Sequence, residues 1–294
     1  MNEKINLYDN LYNKEIKLIA VDIDGTLVNS KKELSNYTKE VVSKAINTGI
    51  LVVPCTGRVA SGIPECITKE LDIPYIISAN GANVWDLKQD CLVYSEGMDN
   101  KYVAGILANI EEYDCLFDVF IAGAAFAEEE RLIISNRYVS SDSFSRYIID
   151  TRYGVDDLKS FVIASNQQVE KINIFFDDID IRNKVLKRLE PFTECQICSG
   201  IPSNIEITKK GIHKGKTLQE LASSFNINTD EIMAFGDGEN DIDMLEMVGV
   251  SVAMNNGVES VRTIADYITK SNDEDGVAYV IEEYLSNCKN AKAV

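Results

Sequence analysis

The chain is poor in basic residues and in histidine, and both shortages disfavour whole classes of function. Its 294 residues include 29 Lys and Arg against 47 Asp and Glu, which gives a formal net charge of −18. Nucleic-acid binding relies on clustered Lys and Arg that release counterions, so we expect no nucleic-acid partner. The single histidine, His213, disfavours a histidine metal cluster and a Ser-His-Asp triad, and we expect it to be structural.

Long apolar runs are also missing, and the cysteines follow no regular spacing. No stretch approaches the roughly 20 apolar residues that a membrane-spanning helix requires, and residues 1–15 are polar and acidic. We therefore expect a cytoplasmic protein with no membrane partner. Seven cysteines, an odd number, fit a reducing compartment better than a disulfide framework. Cys195 and Cys198 form a lone CxxC, but in an extended segment their side chains would point to opposite faces, so we predict no metal site there.

The sequence does contain a series of short apolar runs, each ending at a small or polar cluster. They predict buried strands at 17–21, 50–54, 75–78, 232–235 and 250–253. A helix is predicted from the N-cap Ser35 to Asn47, before Gly49 as a C-cap, and a closing helix is predicted at 277–285. This alternation predicts an α/β fold whose core is a doubly wound, Rossmann-like parallel sheet.

Residues 85–208 follow a different pattern and predict a second unit. Apparent antiparallel strands around 117–127 are followed by a mixed polar stretch. A strand at 171–176, a helix at 181–189 and strands near Gln196 and Ile205 complete the segment. We predict an inserted α+β cap domain, entered after residues 79–81 and left at the turn 209–211. The catalytic core would then comprise residues 1–84 and 209–294.

The first predicted strand runs directly into Asp22-Ile23-Asp24-Gly25-Thr26. In an open parallel sheet, the residues just beyond the carboxyl ends of the strands line the crevice where ligands bind. Two carboxylates two residues apart can then serve one centre, while Gly25 allows a sharp turn and brings backbone amides close to an anion. An acidic surface turn that caps the next helix is the alternative interpretation.

Two other segments carry groups suited to a phosphoryl group. The second strand ends at Thr56-Gly57-Arg58, where a hydroxyl and a glycine amide are two short donors, although a helix cap at Thr56 is the alternative. Lys214 lies between glycines ahead of a helix and can neutralise a nucleophile and a transferring phosphoryl group; a solvated lysine is the alternative. An acidic protein that handles phosphate esters also needs a local cation, which indicates a metal.

A third strand leads into Gly236-Asp237-Gly238-Glu239-Asn240-Asp241. Asp237 lies where a second metal carboxylate is expected, and Asp241 is suited to orient it. A calcium-binding EF-hand loop is the competing interpretation, but it requires glycine at its sixth position and glutamate at its twelfth. Counted from Asp237, these positions are Ile242 and Val248, so an EF-hand is excluded.

Together these segments resemble the four motifs of the haloacid dehalogenase-like hydrolases. The sequence has DIDGT at 22–26, TGR at 56–58, Lys214 and GDGENDIDML at 236–245, in the order of that family. With NGA at 80–82 and a long insertion between the second and third motifs, the chain is similar to the Cof-type phosphatases, which carry a class IIB cap. In the insertion the resemblance rests on length and strand pattern alone.

The resemblance implies a magnesium-dependent phosphatase that works through a covalent aspartyl-phosphate. Asp22 would be the nucleophile, and Asp24 would be the general acid and then base, with a pKa that we expect the crowded carboxylates to raise. Mg²⁺ would be held by Asp22, the backbone carbonyl of Asp24 and Asp237, with Asp241 in support. The phosphate would be held by Thr56, Gly57, Arg58, Asn240 and Lys214.

The resemblance also implies a small phosphorylated metabolite as substrate, with sugar phosphates ahead of pyridoxal phosphate and nucleotides. The cap would close over the crevice as a lid and set specificity. The alternatives are a phosphomutase with the same aspartyl-phosphate chemistry and a non-catalytic sensor of a phosphorylated ligand. A P-type transport ATPase is excluded by the missing membrane spans. We expect a monomer or a weak homodimer.

Overall fold

A computed structural model describes residues 14–139, 141–199 and 203–291. The strands are β1 (Leu18–Val21), β2 (Leu51–Pro54), β3 (Tyr75–Ser78), β4 (Asn83–Asp86), β5 (Cys91–Ser95), β6 (Leu116–Ile121), β7 (Ala124–Glu128), β8 (Arg152–Val155), β9 (Lys171–Phe175), β10 (Cys195–Cys198), β11 (Asn204–Lys209), β12 (Ile232–Gly236), β13 (Val250–Ala253) and β14 (Tyr267–Ile268). The helices are α1 (Asn36–Asn47), α2 (Glu65–Thr68), α3 (Asn100–Ile110), α4 (Glu129–Ile133), α5 (Asp142–Thr151), α6 (Leu158–Ser165), α7 (Ile179–Leu189), α8 (Lys214–Ser224), α9 (Ile242–Glu246), α10 (Glu259–Ile264) and α11 (Gly276–Ala291).

The core is a parallel sheet in the order β14-β13-β12-β1-β2. A parallel bridge between Cys55 and Ile77 places β3 beside the end of β2. Neighbouring residues of β1 point to opposite faces: Ile19 packs into a cluster with α1 and α11, and Leu18 packs into one with α8 and α9. Helices therefore cover both faces, and the predicted doubly wound α/β core is confirmed.

The helix and strand boundaries of the core follow the sequence signals closely. The Ser35 hydroxyl accepts a hydrogen bond from the amide of Thr38 at 3.0 Å, so α1 begins at the predicted N-cap. The closing helix α11 extends from Gly276 to Ala291 and is longer than the predicted 277–285.

The hairpin β4–β5 belongs with the core strands by its pairing. β4 pairs antiparallel with β3 and with β5, so residues 83–95 continue the sheet edge that begins at β3. The predicted domain boundaries, with the cap at residues 85–208, stay a prediction. The strand pairing favours starting the cap after Ser95 instead of at residue 85.

The segment after β5 forms a second sheet in the order β10-β11-β9-β6-β7-β8, and we call the unit made of β6–β11 and α3–α7 the cap. Its strands pair antiparallel except for β7 and β8. Helices α3, α6 and α7 cover one face of the sheet through buried aliphatic side chains, including Ile106, Val162 and Val185. The α+β insertion is confirmed.

The predicted mixed polar stretch between β7 and β9 proves to be structured. It contains α4, α5, β8 and α6. In α5 the apolar residues Phe144, Tyr147 and Ile148 follow helical spacing, and the Ser141 hydroxyl accepts from the amide of Phe144 at 3.2 Å. The helix was missed because its apolar face is short and is interrupted by charged residues.

All seven cysteines are free, and Cys195 and Cys198 lie on β10. No helix among the described residues is both long and apolar enough to span a bilayer. The cytoplasmic location and the oligomeric state stay predictions.

Candidate active site

The carboxyl ends of two adjacent strands bring distant acidic residues together. β1 and β12 pair in register, so Asp22, which follows β1, lies beside Asp237, which follows β12. Asp241 comes from the same loop as Asp237. Carboxylate oxygens of these three residues lie within 4.8 Å of one another, a spacing suited to one metal ion.

Lys214, at the start of α8, is fully buried in this cluster. Its Nζ donates to Oδ1 of Asp22 and to Oδ1 of Asp241, both at 2.6 Å. The other oxygen of Asp241 accepts from the backbone amides of Asp237 and Gly238, each at 3.0 Å. Because both of its oxygens are used, Asp241 fits a role in orienting Lys214 and the loop better than a role as a direct metal ligand.

The cluster holds more negative than positive charge. Burial raises the pKa of Asp22 well above its ordinary value despite Lys214, and the neighbouring carboxylates raise it further. Burial, with the charge of Asp241 next, raises the pKa of Asp237 to about 7. A bound divalent cation would relieve this repulsion, and carboxylate oxygens are the ligands that Mg²⁺ prefers.

The turn after β1 fits closely around Asp237. Gly25 has a φ of +84°, a conformation that favours glycine. A Cβ at this position would also collide with the Asp237 carboxylate, so two independent constraints require glycine here. Thr26 Oγ1 donates to Oδ1 of Asp237 at 2.7 Å. The sharp turn expected at Gly25 therefore also holds Asp237 in place.

The prediction of a raised pKa for Asp24 is wrong. Burial favours such a shift, but hydrogen bonds and the charge of Arg58, together with Lys32, outweigh it and hold the pKa of Asp24 well below its usual range. Arg58 donates through Nε to Oδ2 at 2.5 Å and through Nη2 to Oδ1 at 2.7 Å, and Lys32 Nζ lies 2.7 Å from Oδ1. Asp24 is therefore ionised in this arrangement.

The predicted phosphate ligands only partly converge. Thr56 is buried, and its hydroxyl accepts from the amide of Arg58 at 3.1 Å. Asn240 Nδ2 donates to Oδ1 of Asn80 at 3.2 Å, and the same oxygen lies close to Gly57. The Arg58 guanidinium is instead directed to Asp24 and to the carbonyl of Gly62.

His213 lies just outside this cluster and caps α8. Its Nδ1 accepts from the amide of Lys216 at 3.3 Å. The geometry agrees with the structural role expected for the single histidine.

A sequence model of the haloacid dehalogenase-like hydrolases matches residues 19–281. The chain belongs to this family. It is 32% identical to Phosphatase YwpJ of Bacillus subtilis over 92% of the chain and 100% of that protein. It is 30% identical to the 5-amino-6-(5-phospho-D-ribitylamino)uracil phosphatase YwtE of B. subtilis, over 92% of the chain and 99% of that protein.

Solved structures agree with this family membership. A haloacid dehalogenase-like hydrolase from B. subtilis superposes with a TM-score of 0.80 at 30% identity, over 91% of this chain and 99% of that one. The subclass IIB sugar phosphatase BT4131 superposes with a TM-score of 0.75 at 26% identity, over 91% and 98%. The family predicted from the four motifs is confirmed, and so is the prediction that the chain is a phosphatase of this family.

The acidic cluster of the phosphatase opens into a cavity of about 350 Å³ between core and cap. We call its core side the floor and its cap side the roof. The floor residues are Asp22, Asp24, Lys32, Thr56, Gly57, Arg58, Asp237, Gly238 and Asn240. The roof residues are Phe120, Ser141, Phe144, Tyr147, Arg152, Lys171, Asn173, Phe175, Asn204 and Glu206.

Two of these roof residues contact the core directly. Lys171 Nζ donates to the carbonyl oxygen of Gly57 at 2.9 Å and lies 2.9 Å from Oε2 of Glu206. That carboxylate also accepts from Nδ2 of Asn80 at 2.5 Å. The cap therefore contacts the loop at Gly57, which is predicted to hold phosphate.

The individual roof residues had no predicted role, although the sequence carries a signal for some of them. β9 reads Lys-Ile-Asn-Ile-Phe from Lys171, and β11 reads Asn-Ile-Glu-Ile-Thr from Asn204. Such period-2 alternation places polar side chains on one face, and in a cap strand that face can look into a binding cavity.

Proposed function

We propose that this phosphatase is a Mg²⁺-dependent phosphomonoester hydrolase that acts on small phosphorylated metabolites, above all sugar phosphates, through an aspartyl-phosphate on Asp22. The observation that carries this proposal is the meeting of Asp22, Asp237 and Asp241 around the fully buried Lys214. Such a cluster is costly to fold unless a cation and an anionic substrate make use of it.

The cluster fits a magnesium ion by the chemistry of its donors. Asp22 and Asp237 would hold the ion together with the backbone carbonyl of Asp24, and Asp241 would support them through Lys214 and the loop amides. When bound, the ion supplies the positive charge that lets the Asp22 carboxylate and an anionic phosphate come together.

In the first step a carboxylate oxygen of Asp22 attacks the phosphorus in line, and the bond from phosphorus to the ester oxygen breaks. The leaving oxygen takes a proton from Asp24. Lys214, through its hydrogen bond to Oδ1, orients the nucleophile and offsets charge on the transferring phosphoryl group.

In the second step Asp24, now a carboxylate, takes a proton from water. The water oxygen attacks the phosphorus, the bond from Asp22 to phosphorus breaks, and inorganic phosphate leaves. The ion pair of Asp24 with Arg58 and Lys32 keeps Asp24 ionised, as this step requires. For the first step Asp24 must carry a proton, so Arg58 and Lys32 must turn from it towards the incoming phosphate.

Phosphate release from a panel of metabolites tests the proposal. The panel should contain sugar phosphates, pyridoxal phosphate, nucleotides and the phosphoribityl compound for which the relative YwtE is named. We expect release with Mg²⁺, loss of release with a chelator, and none from Asp22→Ala. Isomerised sugar phosphate in place of free phosphate would identify a phosphomutase, and binding without turnover would identify a sensor.

The role of Asp24 has a separate test. Asp24→Asn keeps the shape of the side chain but can neither donate nor accept the transferred proton, so we expect turnover to fall by roughly 10²–10⁴-fold. An Asp24→Asn enzyme with normal turnover would refute the acid–base assignment while leaving Asp22 as the nucleophile.

A further inference from the structure

The loop after β3 links the core to the cap through one asparagine. Asn80 is buried, and its Nδ2 donates to Oε2 of Glu206, on cap strand β11, at 2.5 Å. Its Oδ1 accepts from Nδ2 of Asn240 at 3.2 Å. Asn240 belongs to the floor of the cavity and is a predicted phosphate ligand. Asn80 therefore lies between a carboxylate of the cap and a side chain of the phosphate site.

The charge of Glu206 fixes the direction of these hydrogen bonds. Burial raises the pKa of Glu206, but Lys171 and hydrogen bonds from two asparagines outweigh this and lower it, so the carboxylate is ionised near neutral pH. An ionised carboxylate can only accept hydrogen bonds, so the Asn80 atom that faces it must be the amide nitrogen. The Asn80 oxygen then faces Asn240, which must answer with its own amide nitrogen.

This arrangement decides what Asn240 can offer to a substrate. An amide nitrogen carries two hydrogens, and Asn80 accepts one of those of Asn240. The second can be donated to a phosphate oxygen in the cavity that Asn240 lines. If the Asn80 amide turned over, Asn240 would have to turn over as well, and its oxygen, which cannot donate, would replace that donor.

The backbone at Asn80 holds the side chain in this position. Ala79, Asn80 and Gly81 have φ values of +50°, +55° and +98°. Such backbone is uncommon for residues other than glycine and persists only where its surroundings hold it. The amides of Ala79 and Asn80 donate to the carbonyl oxygens of Arg58 and Thr56, each at 3.0 Å. The turn is therefore fastened to the second segment that is predicted to hold phosphate.

Three side chains meet over Gly57. A Cβ at this residue would lie 2.7 Å from Oδ1 of Asn80, 3.1 Å from Nζ of Lys171 and 3.6 Å from Nδ2 of Asn240. Lys171 Nζ also donates to the carbonyl oxygen of Gly57 at 2.9 Å. The cap thus contacts the Gly57 loop directly, and it reaches Asn240 through Asn80.

We propose that Asn80 is a positioning residue, which transmits its contact with Glu206 of the cap to Asn240 and so aims the Asn240 amide at the phosphoryl group. This role rests on the proposed phosphatase function. It makes the phosphate site complete only when the cap is in contact with the core. Asn80 itself need not touch the substrate.

Asn80→Gly tests this role, because glycine favours the positive φ and the change deletes only the side chain. With Mg²⁺ we measure kcat/KM for p-nitrophenyl phosphate and for a hexose 6-phosphate, and the affinity for inorganic phosphate by calorimetry. Loss of one donor to a reacting group costs roughly 10²–10³-fold in kcat, so we expect kcat/KM to fall at least roughly tenfold. The loss should be equal for both esters, since they share only the phosphoryl group, and phosphate affinity should fall as well.

Asn166→Gly is the matched control. Asn166 is exposed at the end of α6 and has a φ of +50°, so the same side chain is deleted from the same backbone conformation. It should leave kcat/KM and phosphate affinity unchanged. Unchanged kcat/KM in folded Asn80→Gly, or a loss confined to the hexose ester, overturns the inference.

A double-variant cycle shows whether Asn80 acts through Asn240. Asn240→Ala removes the donor itself, so adding Asn80→Gly to it should cause little further loss of kcat/KM. If Asn80 only supported the fold of its loop, the two losses would multiply. Multiplied losses overturn the inference.

An exchange of donor and acceptor tests the link to the cap. Asn80→Asp keeps the shape of the side chain but sets a carboxylate against that of Glu206, so kcat/KM should fall at least roughly tenfold. Adding Glu206→Gln supplies an amide that can donate to the carboxylate at position 80, which can still accept from Asn240. The double variant should therefore be more active than Asn80→Asp, and equal or lower activity overturns the link.

Folding of each variant is checked by circular dichroism, and the exchange decides the matter if Asn80→Gly does not fold. Failure of the proposed function gives a different pattern. If the unaltered protein with Mg²⁺ hydrolyses neither ester but binds inorganic phosphate, the proposed function falls, and the phosphate affinities of the same variants decide the role of Asn80. If it neither hydrolyses nor binds, both fall. An active unaltered enzyme with fully active Asn80→Gly overturns the inference alone.

Discussion

Replacing Lys214 with methionine removes a buried ammonium group that lies 2.6 Å from carboxylate oxygens of both Asp22 and Asp241. Methionine has a similar length, so the change deletes charge without leaving a large void. The two carboxylates would then be buried beside Asp237 without their counter-ion. Breaking a buried pair by removing one partner costs about 3–5 kcal/mol, so we expect a loss of that order in the free energy of unfolding without metal.

The assay is thermal or urea unfolding of the metal-free protein near pH 7. For a chain of this size the expected loss corresponds to a fall of roughly 5–8 °C in Tm. Lys39→Met is a matched control, because it deletes an ammonium group whose partner is exposed Glu70. Exposed pairs contribute about 0–1 kcal/mol, so the control should shift Tm little.

Mg²⁺ provides the second arm of this experiment. If the loss in Lys214→Met comes from repulsion among the carboxylates, Mg²⁺ should recover more stability in the variant than in the unaltered protein. A variant whose Tm falls no further than that of Lys39→Met, or one that Mg²⁺ does not recover at all, would refute the electrostatic account of Lys214.

Three further predictions concern the same cluster. Burial raises the pKa of Asp22 and raises that of Asp237 to about 7, so the metal-free protein takes up protons on folding and its stability falls as pH rises from about 4 to 7. The Tm gain from Mg²⁺ should therefore be larger at pH 8 than at pH 5. A gain that does not depend on pH would contradict this. Arg58→Met removes a main cause of the lowered pKa of Asp24, so that pKa should rise. The alkaline limb of the kcat/KM profile, where the general acid loses its proton, should then move to higher pH, and an unmoved limb would show that Arg58 does not control Asp24. Gly25→Ala places a Cβ against the Asp237 carboxylate at a residue with positive φ. The affinity for Mg²⁺, measured by calorimetry, should fall at least roughly tenfold. Unchanged affinity would show that this contact does not constrain the site.

The core of the site could be predicted from sequence because strand ends in a parallel sheet have a known common edge. Asp22 and Asp237 each follow a short apolar run, and the two runs proved to be neighbours in register. Lys214 could be added because it begins a helix between glycines. These patterns are local in the sequence. The parallel sheet brings the residues that carry them close together, because the carboxyl ends of its strands lie at one edge.

The pKa of Asp24 could not be predicted in the same way. Asp22 lies two residues away in sequence and suggested repulsion, whereas the guanidinium that decides the result belongs to Arg58, 34 residues further on. Likewise, Lys171 and Glu206 become relevant only through the placement of the cap over the core. The alternation in β9 and β11 predicts a polar face, but the placement of that face against Gly57 and Asn80 depends on tertiary packing that no local pattern encodes.

The interface between core and cap combines polar and apolar contacts in different places. Where it borders the cavity, the described contacts include hydrogen bonds from Lys171 to Gly57 and from Asn80 to Glu206, and water can replace such hydrogen bonds at small net cost. The Arg58 guanidinium also lies over the Tyr147 ring, 4.7 Å from its centroid. The apolar contacts of the interface include a cluster in which Phe120 of the cap packs against Val59, Ala79, Ala82 and Ile212 of the core. A separation of core and cap would break these contacts and expose Phe120, whereas the apolar clusters inside each unit would stay intact.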